Sequence, residues 1–170
     1  MRVAVVDVGT NSTRLLVADV EAPGAVAEVE RRSIVTRLGE DVDATGRLAA
    51  AAMDRVRGVL GRYRAAIDAG GAERAVAVLA SAVRDAANGP AFAAEVAERF
   101  GLDARVLTGE QEARLTFTGA THARRHDRPA RVVDVGGGST ELVIGAGGDL
   151  RFHVSAQAGV VRQSERHLRS

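Results

Sequence analysis

Two short stretches carry the same chemistry-bearing residues at the same spacing: Asp7-Val8-Gly9-Thr10-Asn11-Ser12-Thr13 and Asp134-Val135-Gly136-Gly137-Gly138-Ser139-Thr140. Each places a carboxylate, a glycine-containing bend and hydroxyl side chains behind a short apolar run. Glycine adopts the dihedrals that a tight bend needs and leaves no side chain in the way, so successive N–H groups can converge on an anion. Serine and threonine hydroxyls add donors. Asp7 and Asp134 suit a different task, because a carboxylate repels phosphate but holds Mg²⁺, often through water, and so links it to phosphate oxygens. A single hairpin of this kind is equally well read as a tight turn with a capping aspartate. Two copies favour phosphate binding, and symmetry would set them facing each other across one cleft.

The elements around these stretches repeat as well. "DVGTNSTRLLVA" at 7 and "DVGGGSTELVIG" at 134 match at Asp, Val, Gly, Ser, Thr and Leu, and both follow a β-rich run. Residues 2–8 and 14–20 predict a hairpin, and "AVAEVERRSIVTRLG" predicts a third strand. From Leu48 to Ala69, Met53, Val56, Val59, Leu60, Tyr63 and Ile67 recur at helical spacing ahead of Gly70-Gly71. "RAVAVLAS" reads as a buried strand, Pro90 opens a helix to about Arg99, and "DARVLT" is another strand. Thr108 and Gln111 have capping-box spacing, which places Glu110 and Glu112 in the first turn of the next helix. "ARRHDRPAR" interrupts the pattern as a linker. The second copy then supplies three strands and a helix from about Val160, an α/β pattern throughout.

Composition narrows the partners. The chain has 170 residues, 46% hydrophobic and 26% charged, with a formal net charge of +1. That balance is soluble and globular, and it offers no global attraction for nucleic acid or an anionic membrane. All 23 basic residues are arginine, a bias that fits either codon usage or, where arginines converge, a preference for phosphate oxygens. With no cysteine, disulfides, thiolate metal sites and a cysteine nucleophile are excluded. The apolar run before Asp7 is too short for a signal peptide's core or a membrane span, so a cytoplasmic location is the expectation.

Four motifs taken together, "VAVVDVGTNSTRLLVADV", "LASAVRDAANG", "TGEQEARLTFTG" and "VVDVGGGSTELVIG", resemble those of the exopolyphosphatase/guanosine pentaphosphate phosphohydrolase family, within the superfamily of actin, Hsp70 and sugar kinases. The resemblance implies α/β architecture: a first ribonuclease-H-like lobe over 1–125 with a mixed sheet flanked by helices, a linker at 126–131, and at 132–170 the opening strands and helix start of an incomplete second lobe. It also implies Mg²⁺-dependent release of terminal phosphate from polyphosphate or guanosine pentaphosphate. Asn11, Ser12 and Thr13 match the family's first phosphate loop, and Gly136, Gly137, Gly138, Ser139 and Thr140 the second. Asp7 and Asp134 match the metal-side acids, Glu112 the catalytic glutamate, and Arg84 an arginine near the phosphate. A first-turn position favours the ionised carboxylate that a base needs. By position alone Glu110 is its rival, and Glu112 would be an ordinary solvated acid. Arg84 also reads as a surface partner of Asp85. Arg14 and Glu141, at equivalent places in the two repeats, take supporting roles.

His122 and His126 lie at zinc-compatible spacing but lack a third ligand nearby, so both are expected to be solvated. Arg124, Arg125, Arg128 and Arg131 are expected to be a charged linker rather than a guide for a polyanion. Ala158 and Gln163 stand where the family pattern is apolar, which suggests a fragment adapted to solubility, with a naturally short paralogue as the alternative. An incomplete second sheet would weaken turnover by freeing the second loop. It would also expose an edge to pairing, leaving a homodimer open. The competing readings are therefore a hydrolase, a phosphate-ligand module without turnover and, less favoured, a sugar-kinase-like phosphotransferase.

Overall fold

The computed structural model describes residues 1–21, 24–122, 128–147 and 149–168. By its contacts the chain divides into two compact units, Met1–Val106 and Leu107–Ser170. The sequence reading drew the division after residue 125. Residues 124–126, with Arg124, Arg125 and His126, lie outside the described residues.

In the first unit, β1 (Arg2–Val8), β2 (Ser12–Val20) and β3 (Val26–Val35) form an antiparallel meander. Strands β4 (Arg74–Leu79) and β5 (Asp103–Val106) extend it in parallel on the β1 side, giving the order β3-β2-β1-β4-β5. Between β3 and β5 lie α1 (Val42–Thr45), α2 (Ala50–Ala69), α3 (Ser81–Asp85) and α4 (Gly89–Phe100). The period-2 alternation of β1 and β2 buries Ala4, Val6, Val8, Leu15 and Val17 on one face. Helix α2 sets Val56, Leu60, Tyr63 and Ile67 into the same core, and α4 adds Phe92, Val96 and Phe100. Tyr63 Oη, fully buried, donates to the Thr13 carbonyl at 2.9 Å, so the helix reaches the start of β2 directly.

The second unit holds α5 (Gly109–Thr121), β6 (Ala130–Val135), β7 (Thr140–Ala146), β8 (Asp149–Ala156) and α6 (Val160–His167). Its three strands form an antiparallel sheet in the order β6-β7-β8. The capping box at the start of α5 is formed: Gln111 N donates to Thr108 Oγ1 at 3.2 Å, and Gln111 Oε1 accepts from Thr108 N at 2.9 Å. Ala113 and Phe117 bury against Val143, with Ala130, Val132 and Leu150 packed around them. Gly145 leaves the space that Phe117 occupies, since a Cβ there would lie 2.7 Å from the ring. The other face of the sheet exposes Val133, Val135, Phe152 and Val154. The short helices α1 and α3 are additions to what periodicity anticipated, being too brief to register at a 3.6-residue period. Among the described residues no helix is long and apolar enough to cross a membrane.

Candidate functional site

Each repeat builds its bend in the same way. Gly9 N donates to the Ser12 carbonyl at 3.0 Å, and Gly136 N to the Ser139 carbonyl at 2.9 Å. The remaining carbonyls of each bend are held by the segment that follows the third strand of the repeat. In the first unit, Gly39 N donates to Thr10 O at 2.8 Å, while Thr36 N and Arg37 N donate to Asn11 O at 2.9 Å each. In the second, Val160 N donates to Gly136 O at 2.9 Å, Val161 N to Gly137 O at 2.8 Å and Gly159 N to Gly138 O at 3.1 Å.

The consequence is directional. The peptides of the described residues are trans, and in a trans peptide the C=O and the following N–H point opposite ways. Carbonyls drawn toward the 36–39 segment turn the Asn11 and Ser12 amides away from it. Carbonyls drawn toward the start of α6 likewise turn the Gly137, Gly138 and Ser139 amides away from that helix. Such a row of aligned donors is an anion-binding arrangement. Close approach of the holding segments requires glycine in both units. A Cβ on Gly39 would meet Thr10 Cγ2 at 2.2 Å, and one on Gly159 would meet the Gly137 carbonyl carbon at 2.3 Å. The 36–41 segment further bends through Arg37 and Asp41, both at positive φ (48° and 57°).

Other candidate side chains gather within each unit. In the first, Thr10 Oγ1 and Ser81 Oγ hydrogen-bond at 2.9 Å in a buried position, which ties the bend to α3. Arg84 lies one helical turn beyond Ser81, with Nε 3.7 Å from Asp85 Oδ1. Ser12 is half-buried, Asn11 is exposed, and Thr13 is buried with its hydroxyl on Thr36 Oγ1 at 3.0 Å. That bond commits the Thr13 side chain to the interior.

In the second unit, Asp134 Oδ2 accepts from Thr116 Oγ1 at 3.4 Å. Glu112 is half-buried and stands one helical turn before Thr116 on α5, so the two share a helix face. Glu110 is exposed and lies 3.7 Å from Arg114. Ser139 and Gly138 are buried, and Thr140 Oγ1 donates to Ala158 O at 2.8 Å. Glu112, Asp134 and the glycine bend thus belong to one compact unit.

The cross-strand partners of the aspartates differ. Asp7 pairs with Arg14, whose Nη1 is 3.9 Å from Asp7 Oδ2. Asp134 pairs with Glu141, which is 1% exposed and accepts from Ser155 Oγ at 2.9 Å. Among the described residues no three His, Cys, Asp or Glu side chains converge as a ready-made metal cage. What is present fits Mg²⁺ held by one or two carboxylates and completed by water and substrate oxygens. The Asp134–Glu141 pair suits a cation better than Asp7 beside its arginine. Sequence reasoning gave Glu141 only a supporting role. Alternation along β7, which puts Glu141 on the buried face with Val143, was the signal for its burial.

The chain matches the Ppx/GppA phosphatase family over residues 16–170. The chain belongs to that family. Exopolyphosphatase 2 of Mycobacterium tuberculosis is 43% identical over 99% of the chain and 56% of its own length. A crystal structure of the Aquifex aeolicus Ppx/GppA family member superposes with a TM-score of 0.82 at 36% identity, covering 97% of this chain and 54% of that one. An exopolyphosphatase from Cytophaga hutchinsonii superposes with a TM-score of 0.90 at 28% identity, covering 98% and 53%. The chain therefore spans about half the length of these Ppx/GppA relatives, and its mixed five-stranded and three-stranded sheets are those of the N-terminal part of the family fold.

Proposed function

We propose that the protein is a Mg²⁺-dependent phosphohydrolase that releases terminal phosphate from polyphosphate or guanosine pentaphosphate. The observation that carries the reading is the second unit's combination of Gly137–Ser139 amides turned away from α6 with Asp134, which Thr116 links to the helix bearing Glu112. Phosphoryl transfer asks little covalent chemistry of a protein and much positioning and charge neutralisation, which rows of amides supply. In the proposed reaction Glu112 takes a proton from water as its oxygen bonds to the terminal phosphorus. The P–O bond to the next phosphate breaks, and orthophosphate leaves with a chain one unit shorter. The Asn11–Ser12 and Gly136–Thr140 bends and Arg84 bind phosphate oxygens, while Asp7 and Asp134 are the metal-side acids. Mg²⁺, when bound, neutralises charge on the phosphate oxygens.

The competing reading is a phosphate-ligand module without turnover. Incubation with polyphosphate and Mg²⁺ separates the two. Orthophosphate release that falls by about 100-fold or more in Glu112→Gln supports the hydrolase. Release that survives the substitution removes Glu112 from the mechanism, and binding without product selects the module.

A further inference from the structure

The carbonyl of Gly138 is where the two bends are built differently. Its counterpart, Asn11, receives two backbone amides. Gly138 receives one, from Gly159, and its second donor is a side chain: Arg162 Nε, at 2.9 Å. The amides of Val160, Val161 and Arg162 are directed to Gly136 and Gly137. Three consecutive glycines also have more backbone freedom than Gly9-Thr10-Asn11, so their orientation depends more on what holds them from outside.

We propose that Arg162 is a positioning residue for the second bend: by donating from Nε to the Gly138 carbonyl it fixes the Gly138–Ser139 peptide plane, and with it the direction in which the Ser139 N–H meets a phosphate oxygen. The peptide is rigid and planar, so a carbonyl free to rotate carries the following amide with it. This inference rests on the reading of the bend as a phosphate site.

Three substitutions separate orientation from simple charge. Arg162→Met keeps the side chain as far as the Nε position and removes the donor. Arg162→Gln removes the charge but places an amide nitrogen at the same number of bonds from the backbone as Arg Nε. Arg162→Lys keeps the charge and moves the donor one bond further out. The full chain is titrated with tripolyphosphate and Mg²⁺ while the backbone amides are followed by NMR. Arg162→Met is expected to weaken binding about tenfold, with Arg162→Gln within about twofold of wild type and Arg162→Lys between them. Without ligand, Arg162→Met should lower the backbone order parameter at Ser139 from rigid values near 0.85 toward about 0.6. Asn11 and Ser12, in the other unit, should not change.

Wild-type affinity and unchanged order at Ser139 in Arg162→Met would overturn the inference. So would Arg162→Lys matching wild type while Arg162→Gln falls, a pattern that charge alone produces and that remains readable if the methionine variant does not fold. A wild-type chain that ignores tripolyphosphate would instead defeat the phosphate-site reading, leaving the ligand-free order parameters to decide the role of Arg162.

Discussion

The bends at Gly9–Ser12 and Gly136–Ser139 share a backbone design and differ in charge. Both close with the same glycine-to-serine hydrogen bond, and both have their carbonyls held by the segment after the third strand of the repeat. Yet the strand partner of the aspartate is a solvent-exposed arginine in one unit and a buried glutamate in the other. Shape is set by what lies behind the bend, and electrostatics by what lies across the ladder. The two can therefore diverge independently. One repeat sets its aspartate beside a cationic side chain, the other beside a second carboxylate.

The backbone half of that comparison breaks most sharply at the two close-approach glycines. Gly159→Ala forces a Cβ against main chain, which cannot rotate away, so the second unit should lose about 3 kcal/mol of stability in a denaturant melt. Gly39→Ala meets the methyl of Thr10 first. Its cost should be smaller, about 1–2 kcal/mol, and Thr10→Ser in the same chain should recover part of it by removing that methyl while keeping a hydroxyl for Ser81. Equal costs for the two alanines would mean that the bends are held less differently than their contacts indicate.

Smaller effects sharpen the comparison. Tyr63→Phe removes the buried donor to Thr13 O and should cost the first unit about 1 kcal/mol by thermal melting, leaving the second unchanged. Smallest is a pH effect. Hydrogen bonding from Arg57 holds the Glu95 carboxyl below the ordinary carboxylate range, across the 2.7 Å pair between α4 and α2. A depressed folded value means that its stabilisation is complete above the ordinary range and is lost as pH falls through the folded value. Glu95→Gln should flatten the acid side of the first unit's stability profile, measured by melts across pH, and leave the second unit's profile as it was.

What could be read from the sequence is what local chemistry determines. The capping box of α5 depends on two residues three positions apart, the strand alternation on immediate neighbours, and the repeat on side chains that recur in order. The placement of α5 in the second unit was not readable, because Ala113 and Phe117 would form an apolar stripe on any sheet and only tertiary packing selects β6–β8. The amide tethers also escaped notice, since backbone donors at 36–39 and 159–162 leave no side-chain signature beyond Gly39 and Gly159. Thr13 shows a further limit. Its type suits a phosphate loop, but the hydroxyl pairs inside the core with Thr36.

The tethering of each bend by its own unit bears on the kinetics of ligand capture. Because the Thr10–Asn11 and Gly136–Gly138 carbonyls are held within their own units, an anion bound as proposed would meet bends whose orientation is already set. Encounter and orientation, rather than a loop closing, would then set the on-rate. Selectivity would show itself chiefly in how long different anions remain bound.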